Sequence, residues 1–313
     1  MKGLELSKQY YEEYGREMLR ESFGEYEHLI AVGLVGSGSD CYGYDDEISH
    51  DHDFEPGFCL FLPDETVIDN KVFFNLERAY SKLPNEFNGF KRSRVKPVGG
   101  SRNGVFRTSD FYNKKIGSPD GKLTNEQWLT VPDFALAEAT NGEIFRDDSG
   151  EFTEIRNRLK EMPRDVKLKK LAGNLLIMAQ SGQYNYPRIL KREETAAAQL
   201  ALFEFSEAAI KSFFLLNNKY MPYYKWQFKA LREIDGGEAM ADSLEFLIST
   251  DNGAENADIK AVVINSVAED IISLLQQQEI TKATCNDLEK HAYSVNDLIG
   301  DISLRNSNIL SGI

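Results

Sequence analysis

The sequence predicts an α+β protein with an N-terminal domain in residues 1–150 and an all-helical domain in residues 151–313. Two short apolar runs, LIAVGLV at 29–35 and FCLFL at 58–62, are typical of buried strands, and helical patterns lie on either side of them. From about residue 151 the pattern changes to long helical periodicity with almost no strand signal. Strands that alternate with helices, followed by helices alone, indicate an α/β pattern joined to a helical bundle.

The N-terminal elements follow from local periodicity. Residues 7–26 carry apolar and aromatic side chains at spacings of three and four, which predicts an amphipathic helix that ends at Gly24. The runs 29–35 and 58–62 are expected to be neighbouring central strands, the second stopped by Pro63. Further elements are a helix near 71–82, a strand pair or a strand with a turn within 92–111, a helix near 133–141 and a strand near 143–146.

The pattern of the second half predicts a succession of helices. Proline and glycine residues that break helices lie between the helical segments, at Pro163, Pro187, Pro222 and Gly236-Gly237. The predicted helical segments are 151–161, 165–181, 192–218, 223–234, 238–249, 255–278 and 283–299.

Composition restricts the class of protein. No apolar run approaches the roughly 20 residues of a membrane span, and the N-terminus is a charged helix rather than a signal peptide, so we expect a cytoplasmic protein with no membrane partner. A formal net charge of −14 argues against a nucleic-acid partner, because such binding requires Lys and Arg to neutralise phosphates. The three cysteines have no CxxC spacing and are expected to be free thiols: Cys41, Cys59 and Cys285.

A Gly-Ser pair follows the first predicted strand. At Gly36 the absence of a side chain lets the backbone approach a ligand closely, and successive N–H groups in such a turn can form a nest for an anion. The Ser37 hydroxyl can add a further donor. The pair is a candidate phosphate site, although a Gly-Ser turn alone is a weak signal.

An acidic cluster lies between the two predicted strands. Asp51 and Asp53 flank His52, and in an extended chain residues i and i+2 project from the same face, so the two carboxylates can share Mg²⁺. The alternative is a solvated acidic loop, the interpretation we favour for Asp45, Asp46 and Glu47. A mixed His and carboxylate centre is disfavoured, because the chain has only four histidines and strand alternation directs His50 and His52 away from the Asp face.

These residues carry a family resemblance. The string GLVGSGSDCYGYDDEISHDHDF resembles the signature of the nucleotidyltransferase superfamily of the polymerase-beta type and is similar to the streptomycin, kanamycin and lincosamide nucleotidyltransferases. Together with WLTVPDFALAEATNGEIFRDDSGEFTEIRNRL and LLNNKYMPYYKW, it resembles the bacterial domain of unknown function 4037.

The resemblance implies a nucleotidyltransferase domain with a small mixed sheet and helices on one side, and a helical half that closes over nucleotide and acceptor. It implies Gly36 and Ser37, with Ser39, as nucleotide-binding residues, and Asp51 and Asp53 as catalytic ligands of Mg²⁺.

The superfamily has a third carboxylate that this sequence does not place clearly. The region that should contain it, RVKPVGGSRNGVFRTSDF, has no acid before Asp110, which is our candidate general base. The alternative role for Asp110 is that of a helix N-cap. Asp133, which follows Pro132, is expected to be a cap.

Cationic and aromatic residues of the helical half are further candidates. Arg192 and Lys225 are candidate phosphate ligands, and Tyr223 or Tyr224 is a candidate to stack on the base. The alternative places the aromatic residues in the core and the cations in solvent.

The expected function is Mg²⁺-dependent transfer of a nucleoside monophosphate, AMP by preference, from a nucleoside triphosphate such as ATP to a hydroxyl of an unknown small molecule. Two alternatives remain: transfer to a protein or RNA, as in toxin-like members of the superfamily, and a nucleotide sensor with degenerate catalysis.

Overall fold

The computed structural model describes residues 1–48, 54–92 and 102–313. Within them the chain forms two compact units. The first consists of Met1–Leu123 and Ala135–Glu161, and the second of Thr124–Phe134 and Met162–Ile313. The first unit contains a small sheet with helices and the second is helical, so the predicted α+β class is confirmed.

The first unit is built on a four-stranded mixed sheet. Its strands are β1 (Ala31–Leu34), β2 (Cys59–Leu62), β5 (Gly104–Arg107) and β6 (Glu143–Arg146), in the order β5-β2-β1-β6. β1 is antiparallel to β2 and β6, and β2 is parallel to β5. The two apolar runs therefore form the neighbouring central strands that the sequence predicts. A hairpin of β3 (Glu86–Phe87) and β4 (Phe90–Lys91) forms a second, two-stranded sheet.

The N-terminal helix is interrupted once. It consists of α1 (Gly3–Tyr10), a π-helical turn (Tyr11–Gly15) and α2 (Arg16–Phe23), which ends against Gly24 as expected. The consecutive Tyr10 and Tyr11 are both buried against Phe58, with ring centroids 5.9 and 5.4 Å away. In a regular α-helix consecutive side chains point about 100° apart. The wider π-helical turn brings the consecutive Tyr10 and Tyr11 onto the same core-facing side of the helix.

Both faces of the four-stranded sheet are covered. On one face α1, α2 and α3 (Asn70–Ser81) pack their buried residues against Val32, Leu60 and Leu62. On the other, Phe61 contacts Phe111 of α4 (Thr108–Ile116) and Phe152 of α7 (Glu151–Lys160), with ring centroids 5.1 and 4.3 Å away. The implication that helices lie on one side of the sheet is therefore wrong, because alternate residues of β2 face opposite sides and both sides are apolar.

The second unit is organised around α8 (Arg164–Met178), which packs against α10 (Thr195–Leu216) and α14 (Leu288–Asp297). A π-helical turn at Ala179–Asn185 continues α8 into α9 (Tyr186–Leu190). Pro163, Pro222 and Gly236 lie between helices as predicted, and Gly236 has φ of +73° before α12. The prediction for Pro187 is wrong, because Pro187 lies in the first turn of α9, where its missing N–H is tolerated. The other helices are α5 (Asn125–Thr130), α11 (Gln227–Arg232), α12 (Gly237–Ser249), α13 (Ala254–Gln277) and α15 (Ile302–Asn306); α6 (Asp133–Thr140) begins in this unit and continues in the first.

Within the described ranges, no helix has the length and apolar character needed to cross a membrane.

Candidate functional site

The Gly-Ser turn lies at one edge of the sheet, where β1 ends and β2 and β5 begin. The register pairs Gly33 with Cys59 and Cys59 with Gly104, so that the residues after β1 and those before β5 meet there. Gly36 and Gly38 have φ of +109° and +130°, a region of backbone conformation that residues with a side chain rarely adopt. Glycine at these two positions is therefore a requirement of the turn itself.

Asn141 holds this turn from the neighbouring strand. Leu34 pairs with Glu143 across the antiparallel β1–β6 ladder. Gly36, two residues after Leu34, therefore faces Asn141, two residues before Glu143. The Gly36 N–H donates to Asn141 Oδ1 at 2.8 Å, and Asn141 Nδ2 donates to the Gly36 carbonyl at 2.8 Å. The Gly36 N–H is thus already engaged and is not a free donor of an anion nest.

Two oppositely charged residues contact the Ser37 hydroxyl. Lys115 Nζ donates to Ser37 Oγ at 2.7 Å, and Ser37 Oγ donates to Glu138 Oε2 at 2.9 Å. Lys115 and Glu138 also form a direct ion pair, with their side chains 17% and 15% exposed. At that exposure the pair is only partly screened by solvent, so Lys115 holds a fixed position beside Ser37.

Arg102 holds the other side of the turn. Its Nε donates to the Ser37 carbonyl at 2.8 Å, and its Nη2 forms an ion pair with Asp40. Burial raises the pKa of Asp40, and the Arg102 guanidinium opposes that rise. The carbonyl and the hydroxyl of Ser37 are therefore bound by different cations.

A cavity of about 320 Å³ opens beside this turn. α4 provides one wall, because the i and i+4 pairs Asp110–Lys114 and Phe111–Lys115 lie along the same side of the helix. Cys59 also lines the cavity, but burial raises the pKa of its thiol to about 12, so the reactive thiolate is scarce at neutral pH. The lining includes Gly36 and Ser37 together with three cations, Arg102, Lys114 and Lys115.

Asp110 is the one candidate base that lines this cavity. It is exposed and occupies the third position of α4, whose N-cap is Arg107, so it is not itself the cap. Asp133 lies in the second unit at the start of α6, where its carboxylate forms a 2.8 Å ion pair with Lys170.

The predicted metal ligands Asp51 and Asp53 lie outside the described residues, as do His50 and His52. In the part of the chain that is described, no group of three or more His, Cys, Asp or Glu side chains could hold a metal ion. The Mg²⁺ site therefore stays a prediction.

Asp45 differs from its expected role. It is only 2% exposed, and its Oδ2 accepts from the Gly3 N–H at 2.9 Å, so it anchors the start of α1 and is not part of a solvated loop. Asp46 and Glu47 are exposed, as expected.

The remaining candidates occupy varied positions. Ser39 lies in the first unit, and its carbonyl accepts from the N–H groups of Tyr42 and Tyr44. Arg192 and Lys225 are exposed residues of the second unit, and the Lys225 amine lies 5.4 Å from the Trp226 ring centroid. Their role as phosphate ligands stays a prediction.

Sequence reasoning missed five residues that surround the turn and its cavity: Arg102, Lys114, Lys115, Glu138 and Asn141. For the lysines a signal existed, because Lys114 follows Asp110 at helical spacing and Lys115 is adjacent. The other three reach the turn through strand register and helix packing, which no local pattern reveals.

One family model matches part of the chain. The family is described as Domain of unknown function (DUF4037), and the match covers residues 128–227, about a third of the sequence. The matched segment spans parts of both units and excludes the Gly-Ser turn. No curated protein matches the sequence.

Proposed function

We propose that this protein is a Mg²⁺-dependent nucleotidyltransferase that moves a nucleoside monophosphate, AMP by preference, from a nucleoside triphosphate to a hydroxyl of a small molecule. The observation that carries the proposal is the concentration of Arg102, Lys114 and Lys115 around the cavity at the Gly36-Ser37 turn. Lys115 and Arg102 are already fixed there by contacts with Ser37.

The charge distribution supports an anionic ligand. Three cations lie beside one short turn of a chain whose net charge is −14. Arg102 is paired there with Asp40 and Lys115 with Glu138, so a phosphate competes with these carboxylates for the two cations. Cations that line a concave site focus the electrostatic potential and attract a polyanion such as a triphosphate. Their ammonium and guanidinium groups form charge-assisted hydrogen bonds to phosphate, which are stronger than those between neutral groups.

Hard carboxylate oxygens are the ligands that Mg²⁺ prefers, and Asp51 and Asp53 are residues of that type. Mg²⁺ held by Asp51 and Asp53 would supply positive charge to the phosphates during transfer. The positions of Ser37, Arg102 and Lys115 support their assignment to the phosphate side of the cavity.

Asp110 has the role of general base. In the transfer step, the oxygen of the acceptor hydroxyl bonds to the α-phosphorus while the bond to the bridging oxygen breaks and pyrophosphate leaves. The proton of the hydroxyl passes to the Asp110 carboxylate. An exposed carboxylate that lines the cavity suits this role, because it is open to an incoming acceptor.

A small-molecule acceptor agrees with the charge of the protein. Binding of a nucleic acid backbone depends on many neutralised phosphates, which an excess of 14 negative charges opposes. The cavity of about 320 Å³ is of the size of small-molecule sites.

The test is to incubate the purified protein with Mg²⁺ and ATP labelled at the α-phosphate, alone and with separated small-molecule, protein and RNA fractions of a cell extract. We expect pyrophosphate release and label transfer with the small-molecule fraction, and neither with Asp51→Asn or Asp53→Asn. Label on protein or RNA would instead support the toxin-like alternative. Tight Mg·ATP binding without pyrophosphate release in any fraction would favour the sensor.

A further inference from the structure

Two of the side chains that contact the Gly-Ser turn come from the end of α6. Glu138 accepts from the Ser37 hydroxyl at 2.9 Å and lies two residues before the helix ends at Thr140. Asn141, the first residue after the helix, forms the two hydrogen bonds with Gly36. The position of the turn therefore depends on how firmly the end of α6 is held.

Arg156 of α7 binds the main chain on both sides of Asn141. Its Nε donates to the Thr140 carbonyl at 3.1 Å, and its Nη2 donates to the Gly142 carbonyl at 2.8 Å. Because Thr140 is the last residue of α6, the guanidinium also lies at the negative end of the helix dipole. One rigid, planar group thus fixes the main chain before and after the residue whose side chain contacts Gly36.

The main chain after Asn141 is packed against the end of β1. The Gly142 N–H donates to the Cys41 carbonyl at 3.0 Å, and a Cβ atom on Gly142 would lie 2.0 Å from the Leu34 carbonyl oxygen. So close an approach leaves no space for a side chain. Residues 140–142 are therefore held by contacts from β1 and by the Arg156 guanidinium from α7.

The Arg156 guanidinium has main-chain partners. The residue is half-buried, and burial lowers the pKa of its guanidinium. Within the described ranges its side-chain hydrogen bonds go to the two carbonyls, and none goes to a carboxylate. A cation removed from water costs free energy unless it is hydrogen-bonded, so the carbonyls of Thr140 and Gly142 offset the burial of Arg156. A lysine or methionine cannot reproduce both contacts, because they need the two arms of the guanidinium.

We propose that Arg156 is a positioning residue for the Gly36-Ser37 turn. By fixing residues 140–142 it keeps the Asn141 side chain on Gly36. It is not one of the described residues that line the cavity, so it acts through Asn141 and not on a ligand. The conformational role stands without a ligand, whereas its effect on nucleotide binding rests on the proposed function.

The first test is hydrogen exchange of the full chain, followed by NMR without nucleotide or Mg²⁺. In Arg156→Met we expect the Gly36 amide to exchange roughly tenfold faster relative to the amides of β2, because its acceptor on Asn141 is no longer held in place. The β2 amides report a general loss of stability. An unchanged ratio, or equal acceleration at Gly36 and in β2, would overturn the proposal. If Arg156→Met does not fold, Arg156→Lys decides by the same ratio.

The second test is a double-mutant cycle on Mg·ATP affinity. Arg156→Met should weaken binding roughly tenfold in the wild-type chain and have little further effect in Asn141→Ala, because the contact through which Arg156 acts is then already absent. Arg158→Met is the matched control on α7, since Arg158 donates to the Asp120 carbonyl, and it should change neither affinity. Additive effects of Arg156→Met and Asn141→Ala would overturn the proposal. If the wild type binds no ATP, the proposed function fails, whereas the exchange ratio at Gly36 still decides the role of Arg156.

Discussion

Asn141 and Gly36 are joined by two hydrogen bonds of 2.8 Å, in which the amide side chain of Asn141 matches both the N–H and the carbonyl of Gly36. The strand that follows Asn141 therefore sets the position of the turn that follows β1. Since Ser37 is the next residue, the clamp also positions the hydroxyl that Lys115 and Glu138 contact.

Removal of this clamp should loosen the turn. Asn141→Ala leaves both main-chain groups of Gly36 without their partner, and we expect the free energy of unfolding to fall by about 1–3 kcal/mol. ATP affinity should fall as well, because Ser37 loses its fixed position. Urea unfolding and calorimetric titration with Mg·ATP measure the two effects. Asn265→Ala, which removes a hydrogen bond within α13, is the control and should leave ATP affinity unchanged.

Lys115 and Glu138 should have opposite effects on nucleotide binding. Lys115→Met removes a cation from the cavity, and we expect ATP affinity to fall roughly tenfold or more. Glu138→Gln removes the carboxylate that competes with phosphate for Lys115, so affinity should rise. Lys71→Met, at an exposed lysine of α3, is the charge control and should have little effect. Both changes should shrink at high salt if the interaction is electrostatic. Equal losses of affinity in Lys115→Met and Lys71→Met would indicate a general charge effect.

Asp110 should affect the rate without affecting binding. Asp110→Asn removes the proposed base, so kcat should fall by about 10²–10⁴-fold while the Kd for Mg·ATP stays unchanged. Label transfer from ATP and calorimetric titration give the two quantities. Asp133→Asn, which breaks the ion pair with Lys170, should lower stability and leave the chemical step intact. Full turnover in Asp110→Asn would exclude this residue as the base.

Gly36 should be required for both conformation and binding. Gly36→Val forces a β-branched residue to a φ of +109°, which should cost about 1–3 kcal/mol of stability and sharply reduce ATP affinity. Gly89→Val is a matched control, because Gly89 has φ of +83° in the β3–β4 turn. This control should lose stability and keep ATP affinity. If a folded Gly36→Val protein binds ATP normally, the turn is not part of the nucleotide site.

Asp40 should make stability depend on pH. Its folded-state pKa is raised above the ordinary value of 3.8, so its folded form retains the proton more strongly than the unfolded chain does. Stability should therefore decrease as pH rises from the ordinary value through the raised pKa. Arg102→Met should raise the pKa of Asp40 further and enlarge this loss. Urea unfolding from about pH 4 to about pH 7 measures it. The double variant Arg102→Met with Asp40→Asn should lose the added pH dependence, and its persistence would assign the effect to another group.

Local patterns in the sequence were sufficient for the elements and for the location of the turn. The apolar runs became β1 and β2, and the breakers Pro163 and Gly236 lie at helix starts, because hydrophobic periodicity and backbone restriction act within a few residues. Gly36 could be selected on the same basis, since a glycine directly after a buried strand indicates an unusual backbone conformation.

Only the tertiary structure decided which side chains meet that turn. Asn141 faces Gly36 because Leu34 pairs with Glu143, and a one-residue change of register would place a different side chain there. Lys115 of α4 and Glu138 of α6 are 23 residues apart in the chain, and segment 124–134 between them belongs to the second unit. Such convergence depends on strand register and helix packing, which are properties of the folded chain as a whole and leave no local periodic signal in the sequence.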